Sequence, residues 1–179
     1  MPQQRDGLLI GVISDTHGHL YPEVKQALAG VDHIIHAGDV GMPELLAELR
    51  TIAPVTAARG NCDIGAWADP LPVRAELELG GARIMVGHIG GRLREEAVAR
   101  RNSGRASADV VIFGHSHQAL VERKDGALYL NPGSAGPRRY GRPRTMAFLR
   151  ITPAIPRRTA PTAGAIAAKA SAEIIVLEG

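Results

Sequence analysis

Short apolar runs alternate with helical patterns in the first third of the chain, and polar residues follow each run. Residues 8–14, LLIGVIS, are apolar and rich in β-branched side chains, which indicates a buried strand. Residues 32–40 and 54–63 repeat this pattern, whereas residues 21–30 and 43–52 have the proline, glycine and apolar spacing of short helices. This alternation of strands and helices predicts a parallel sheet with crossover helices.

The remainder of the chain predicts an antiparallel half. Residues 73–88 form a hairpin that turns at Gly80-Gly81, and residues 119–134 form another that turns at Asp125-Gly126. The other predicted elements are a helix at 93–101, strands at 108–117, 144–151 and 172–179, and a long Pro/Ala-rich loop at about 152–171. Together the patterns predict about nine strands and three or four helices in one mixed α/β domain spanning residues 1–179.

Composition narrows the class of protein. Hydrophobic residues make up 45% of the 179 residues and charged residues 22%, as in an ordinary globular protein with its own core. Aromatic residues make up only 3%, which argues against a base-stacking surface for nucleic acid. Cys62 is the single cysteine, and no apolar run has the length of a signal peptide or a membrane span. We therefore expect a cytoplasmic protein without a membrane partner.

Five successive strands end in side chains that bind metals. These side chains are Asp15 and His17, Asp39, Asn61, His88, and His115 and His117. Ligands bind at the carboxyl ends of strands in open α/β sheets, so we expect the seven side chains to meet at one edge. Imidazole mixed with carboxylate and amide oxygen suits Mn, Fe, Zn, Co or Ni. Seven donors exceed the needs of one ion, whereas two ions at roughly 3.5–4 Å can clamp a phosphate and activate a water.

The order of these motifs resembles the calcineurin-like metallophosphoesterase superfamily. The motifs are DTH at 15–17, GD at 38–39, GN at 60–61, His88, and GHSH at 114–117. GNCD at 60–63 and LNPGS followed by PRR at 130–139 are similar to its small bacterial and archaeal branch of metal-dependent phosphodiesterases. The resemblance covers residues 8–151 and the closing strand at 172–177. It implies a four-layer αββα sandwich, the metallo-dependent phosphatase-like fold.

The resemblance also implies a binuclear metal centre. Asp15, His17 and His117 would bind one ion, Asn61, His88 and His115 would bind the other, and Asp39 would bridge the two. Manganese is the first choice of metal, with iron, zinc, cobalt or nickel as alternatives. A hydroxide bridging the ions would attack phosphorus in line, which would make the protein a phosphoric diester hydrolase.

Two residues are candidates for contact with the substrate. Asn61 is neutral and can also donate to a phosphate oxygen, and Arg138 offers a guanidinium fork that suits a phosphate. The expected substrate is a small phosphodiester or a nucleotide. A long nucleic acid is disfavoured by the few aromatic residues and a net charge of only +3. Whether the protein is a homo-oligomer stays open.

Two positions depart from the superfamily pattern. Cys62 stands where larger members have a histidine, and a thiol is a poor proton donor for that work near neutral pH. We interpret Cys62 as a semi-buried packing thiol and Asp63 as a turn residue. Gly90 stands where a second histidine commonly follows the one matched by His88. These departures keep a second function open, a scaffold that binds protein partners, as in the retromer scaffold subunit that resembles the same branch.

Overall fold

The structure is a computed structural model that describes residues 7–139, 141–153 and 169–178. Its elements in chain order are β1 (Leu8–Ile13), α1 (Pro22–Leu28), β2 (His33–His36), α2 (Pro43–Arg50), β3 (Val55–Ala57), β4 (Arg74–Leu79), β5 (Ala82–Gly87), α3 (Gly90–Asn102), β6 (Val110–Ile112), β7 (Leu120–Lys124), β8 (Ala127–Asn131), β9 (Arg144–Thr152) and β10 (Lys169–Leu177). Within these ranges no helix has both the length and the apolar character needed to cross a membrane.

The strands form two mixed sheets of five strands each. The first sheet has the order β10-β9-β1-β2-β3, with β1, β2 and β3 parallel and β9 and β10 antiparallel to their neighbours. The second has the order β4-β5-β6-β8-β7, with β5, β6 and β8 parallel and the two edge strands antiparallel. Both parallel and antiparallel pairing are present as predicted, but the division into a parallel first half and an antiparallel remainder was wrong, because β5, β6 and β8 pair in parallel.

The two sheets pack face to face and are covered by helices on the outside. Along β1, alternate residues Ile10 and Val12 join a buried cluster with Ile84 and Ile112 of the second sheet. Ile13 points the other way, into a cluster with the buried side chains of α1 and α2. The outer face of the second sheet packs against α3. The predicted four-layer αββα sandwich is therefore confirmed.

Some element boundaries differ from those predicted. β3 covers only Val55–Ala57, so within the predicted strand and polar loop at 54–63 the strand is short and the loop that carries Asn61 is long. α3 begins at Gly90, earlier than predicted, because glycine is a poor helix former and gives no start signal. β9 and β10 extend into the predicted loop 152–171, since Thr152 pairs with Lys169. The rest of that predicted loop, residues 154–168, lies outside the described residues.

Candidate metal centre

The loops that follow five strands meet at one edge of the sandwich. The seven predicted ligands lie on these loops: Asp15 and His17 after β1, Asp39 after β2, Asn61 after β3, His88 after β5, and His115 and His117 after β6. Main-chain hydrogen bonds join neighbouring loops. The N–H of Asp15 donates to the Gly38 carbonyl at 3.0 Å, and the N–H of Gly114 donates to the His88 carbonyl at 3.1 Å.

Ligand atoms from the two sheets approach one another at this edge. His117 Nε2 lies 3.2 Å from Asp15 Oδ1, and His88 Nε2 lies 3.4 Å from Asp39 Oδ2. His88 Nε2 is also 4.0 Å from Asp15 Oδ1, and the centroids of the His88 and His115 rings are 5.1 Å apart. Each carboxylate of the first sheet therefore faces an imidazole of the second.

Three sets of side chains are close enough to share an ion. In each set, ligand atoms lie within 4.8 Å of one another, and the sets are Asp15–His17–His117, Asp15–Asp39–His88 and His17–Asp39–Cys62. The sets overlap at Asp15, His17 and Asp39. Overlap of this kind is what two neighbouring cations with shared ligands require.

Three buried ligand atoms have no hydrogen-bond partner among the described residues. They are Asp15 Oδ1, His17 Nε2 and His88 Nε2. Buried polar atoms in folded proteins are nearly always satisfied, because an unsatisfied one costs about 1–3 kcal/mol. All three are atoms that coordinate divalent metals, and they come from two loops, the one after β1 and the one after β5. The donor set therefore fits a divalent metal centre.

The remaining polar atoms of the same side chains are held by protein groups. The Ser14 hydroxyl and the His115 N–H donate to Asp15 Oδ2 at 2.5 and 3.1 Å, which leaves Oδ1 as the available oxygen. His88 Nδ1 donates to the Ala37 carbonyl at 2.8 Å, which leaves Nε2 as the available nitrogen. Bonds of this type fix the orientation and the tautomer of metal ligands.

Two glycines allow the ligand loops to approach closely. A side chain at Gly114 would collide with the Ser14 hydroxyl, and one at Gly60 would collide with the main chain and carboxylate of Asp39. The Cys62 N–H then donates to Asp39 Oδ1 at 2.8 Å, so that Oδ2 is the oxygen that faces the other loops. Glycine at positions 60 and 114 is thus required by the close approach of neighbouring loops.

Five of the predicted ligands have left-handed backbone conformations. They are Asp15, His17, Asp39, His115 and His117, with φ between 47° and 69°. Asp125, in a hairpin turn, is the one other non-glycine residue of the described ranges with a positive φ. Such conformations cost about 1–3 kcal/mol each and are kept where the surrounding structure over-determines them, most often at functional sites.

Electrostatics divide the ligands into two kinds. Burial opposes a charge on Asp39 and on His88, yet their mutual contact prevails over it: the pKa of Asp39 is held well below its usual range, and the pKa of His88 is raised. The Cys62 N–H and the Ala37 carbonyl act in the same directions. For Asp15 and His17 burial prevails, raising the first pKa and lowering the second. The pKa shifts of Asp39 and His17 thus favour an anionic carboxylate and a neutral imidazole, the forms in which these side chains bind a cation.

The residues at the outer rim are less enclosed. Asn61 and His115 are exposed, and the Asn61 amide donates to Cys62 Sγ at 3.4 Å. Cys62 is also exposed, so its interpretation as a semi-buried packing thiol was wrong. Loss of some surrounding water and the nearby Asp39 carboxylate raise the pKa of this exposed thiol, which keeps its proton at neutral pH.

Arginines line a small cavity beside His117. Arg138 and Arg139 are exposed there, and Arg142 is half-buried. The positive charge of Arg139 acts on His17 and opposes its protonation. Arg139, which sequence reasoning passed over in favour of its neighbour, is therefore a second candidate for contact with an anionic substrate.

Two buried polar residues support the ligand loops. The Asp63 carboxylate accepts from the N–H groups of Gly60 and Gly41 at 2.7 and 2.8 Å, so it ties the loops of Asn61 and Asp39 together. This role goes beyond that of the predicted turn residue. Its signal in the sequence is a carboxylate three residues after a glycine.

His36 supports the loop of the first strand through a hydroxyl group. Thr16 Oγ1 donates to the Val40 carbonyl at 3.0 Å, so the His36 Nε2–H, 2.8 Å away, donates to that hydroxyl. Complete burial lowers the pKa of His36 to about 4. The neutral ring of His36 therefore supports Thr16, the residue between Asp15 and His17.

Comparison with known proteins agrees with this geometry. The profile described as the calcineurin-like phosphoesterase superfamily domain matches residues 8–153 of the chain. The chain belongs to this superfamily. A relative named a probable metallophosphoesterase, from Methanothermobacter thermautotrophicus, is 36% identical over 150 residues, covering 80% of this chain and 86% of that protein. The predicted resemblance is confirmed.

A further sequence relative and a solved structure of similar fold carry different names. A phosphodiesterase of Methanocaldococcus jannaschii is 27% identical over 141 residues, covering 69% of this chain and 82% of that protein. The solved structure of vacuolar protein sorting 29 from Cryptosporidium parvum has a TM-score of 0.69 at 19% identity, covering 95% of this chain and 98% of that chain. At that identity the second likeness shows the fold alone. The family and the donor set together indicate a hydrolase of the phosphoesterase class that binds divalent metals.

Proposed function

We propose that the protein is a divalent-metal-dependent phosphodiesterase that hydrolyses a small phosphodiester or nucleotide. The observation that carries this proposal is the set of three orphaned ligand atoms, Asp15 Oδ1, His17 Nε2 and His88 Nε2, buried at the meeting point of the loops. Superfamily membership and the phosphodiesterase relative support the same reaction class.

The ligands divide between two sites in this proposal. Asp15, His17 and His117 hold one ion. Their ligand atoms lie within 4.8 Å of one another, which supports this grouping. Asn61, His88 and His115 hold the other, and Asp39 serves both. When bound, two divalent ions supply neutralisation of the phosphate charge and an activated water. Manganese is the first choice of metal, and iron, zinc, cobalt and nickel also suit a set of oxygen and imidazole nitrogen donors.

The chain's own residues position the substrate. Asn61 is exposed at the rim, so its amide can donate to a phosphate oxygen without adding negative charge to the site. Arg138 and Arg139, beside His117, supply guanidinium groups for the outer phosphate oxygens. The Cys62 thiol is a weak acid there, so the reaction favours diesters whose leaving group departs without a proton.

The first test is hydrolysis of bis-p-nitrophenyl phosphate by protein stripped with a chelator and reloaded with Mn or other divalent ions. We expect turnover that depends on the metal and is lost in Asp39→Asn and His88→Ala. The matched controls are Asp69→Asn, which alters an exposed carboxylate, and His33→Ala, which alters a histidine bonded to Thr56. Metal content by mass spectrometry gives the number of ions bound. A folded, metal-loaded protein without turnover would contradict the proposal.

The likeness to vacuolar protein sorting 29 favours a second candidate, a scaffold that binds other proteins on the same fold. A scaffold has no need of orphaned ligand atoms, so the enzyme is preferred here. Metal binding without hydrolysis, in a protein whose thermal stability matches the controls, would favour the scaffold. A cytoplasmic location stays a prediction of the sequence.

A further inference from the structure

An open cavity of about 570 Å³ adjoins the candidate metal centre. Asn61 and His88 line both the cavity and the metal centre, so the two are continuous. The cavity lies between the loop after β3, the start of β4 and the first turns of α3. A group attached to a phosphate at the metal centre would enter it directly.

Aliphatic side chains converge on this cavity from separate parts of the chain. Ile64 is 76% exposed, Val73 is 74% exposed and Ile89 is 41% exposed. These are three of the seven large hydrophobic side chains exposed on the described residues. Single exposed aliphatics are ordinary, whereas several around one concave surface mark a binding site.

The charged groups of the cavity are almost all engaged by other protein groups. The Asp63 carboxylate is bonded to main-chain N–H groups, and Glu96 is paired with Arg74 and Arg100. Arg59 pairs with Asp69 at 3.3 Å. No carboxylate is thus available to bind a cationic group, and the occupant is uncharged or carries its charge on the phosphate alone.

Arg92 is the exception among the lining charges. It is exposed, and no hydrogen bond or ion pair engages it within the described ranges. A guanidinium stacks on the face of an aromatic ring, and aliphatic side chains pack against the same flat surface. An aromatic ring can therefore stack on Arg92 and also pack against the aliphatic side chains of the cavity.

We propose that this cavity binds an aromatic ring carried on the substrate phosphate, either an aryl ester group or a nucleobase. The inference rests on the proposed function in placing the phosphate at the metal centre. It identifies the substrates as diesters with one aromatic side, and it assigns Ile64, Val73, Ile89 and Arg92 to their selection.

The test compares the binding of phenylphosphonate and methylphosphonate to the Mn-loaded protein by titration calorimetry. Both ligands present the same anion to the metal centre and differ in the ring. We expect phenylphosphonate to bind about tenfold more tightly or better, as burial of a ring predicts. In the double variant Ile64→Ser/Val73→Ser the ratio of the two affinities should fall towards one. Val176→Ser, a 57% exposed valine on β10, is the matched control and should keep the wild-type ratio.

Turnover of three p-nitrophenyl diesters separates the sources of the ring. The second ester group is methyl, phenyl or 5′-thymidyl, and p-nitrophenol is released in each case. A preference for phenyl alone assigns the cavity to aryl esters, and a preference for thymidyl assigns it to nucleotides. Either preference should disappear in the double variant.

The outcomes distinguish this inference from the proposed function. Equal affinity for the two phosphonates, or a ratio that the double variant leaves unchanged, would overturn the aromatic site alone. A phenyl preference in binding without turnover of any diester would support the site and contradict the hydrolase. Failure to bind either phosphonate would overturn both.

Discussion

The inner and outer parts of the metal centre are built differently. In the inner part, Asp15, Asp39 and His88 are almost completely buried, and a protein hydrogen bond fixes the second polar atom of each side chain. In the outer part, Asn61 and His115 are exposed side chains. The inner ligands are therefore in place before any ion arrives, while the outer ones can adjust to ion and substrate.

This difference indicates how preorganisation is distributed. Ligands held by second hydrogen bonds lose little freedom on binding a metal, and their supporting groups affect affinity by about 10–100-fold. Exposed ligands contribute less binding strength and allow exchange of substrate. Variants of inner residues should thus have larger effects than variants of outer residues, and the following predictions test that order.

The largest effect is expected for Asp15→Asn. The change removes the charge of a buried ligand shared by two sets, so we expect metal-dependent turnover to fall by about a thousandfold, the loss of several kcal/mol of metal-derived stabilisation. Asp125→Asn is the control, because it makes the same change at a left-handed residue in a remote hairpin turn. Hydrolysis of bis-p-nitrophenyl phosphate measures both. A loss smaller than that of an outer ligand variant would contradict the comparison.

His36, which supports Thr16 behind the inner part, should make the stability of the protein depend on pH. Its pKa is about 4 in the folded protein and 6.5 when unfolded, so between these values the unfolded chain binds the proton more readily. Stability conferred by the neutral ring is therefore fully present above pH 6.5 and is lost as the pH falls towards 4, by up to about 3 kcal/mol.

Urea unfolding of the chelator-treated protein across this pH range measures the effect, and the chelator excludes any contribution from metal loss. His36→Gln should have a shallower decline in the free energy of unfolding between pH 6.5 and 4. If the free energy of unfolding falls equally in wild type and variant, His36 does not support Thr16 as a buried neutral ring.

A smaller effect is expected for Asp63→Asn. The variant replaces one charged acceptor for the N–H groups of Gly60 and Gly41 with a donor, which should lower the free energy of unfolding by about 2 kcal/mol. Turnover should fall as well, because the loop of Asn61 is no longer tied to that of Asp39. Asp69→Asn, an exposed change nearby, should alter neither quantity. Unchanged stability in Asp63→Asn would show that the tie is dispensable.

The smallest effect is expected for His115→Gln at the outer rim. We expect the affinity for Mn to fall by about tenfold, with turnover restored at higher Mn concentration, since the buried ligands remain in place. Titration with Mn while hydrolysis is followed measures this shift. Turnover that no concentration of Mn restores would place His115 among the essential inner ligands.

The sequence predicted the fold and the approximate location of the site for a physical reason. Parallel strands bring their carboxyl ends to one edge, so metal-binding side chains after successive strands converge. The four layers follow from the alternation of apolar residues along strands such as β1, where Ile10 and Ile13 point to opposite faces. The assignment of Asp15, Asp39 and the other ligands to particular ions stays a prediction.

Other features depend on contacts between distant residues and have no local signal. The start of β10 at Lys169 is determined by pairing with Thr152, which no periodicity within either segment indicates. The Ser14 hydroxyl that fixes Asp15 precedes it in an ordinary apolar run. In the cavity wall, Ile64 of the loop after β3 joins Val73 and Ile89, which flank the hairpin of β4 and β5, only once the two sheets are packed.

The left-handed backbone at five ligand positions has a consequence for natural selection. Glycine would relieve the strain at Asp15, His17, Asp39, His115 and His117, so selection for folding alone should enrich glycine at these five positions. Selection for activity should remove the same variants. In a library of substitutions, selection for folding should therefore favour glycine at these five positions, and selection for activity should favour the present residues. No other left-handed residue that is not glycine in the described ranges should show this reversal.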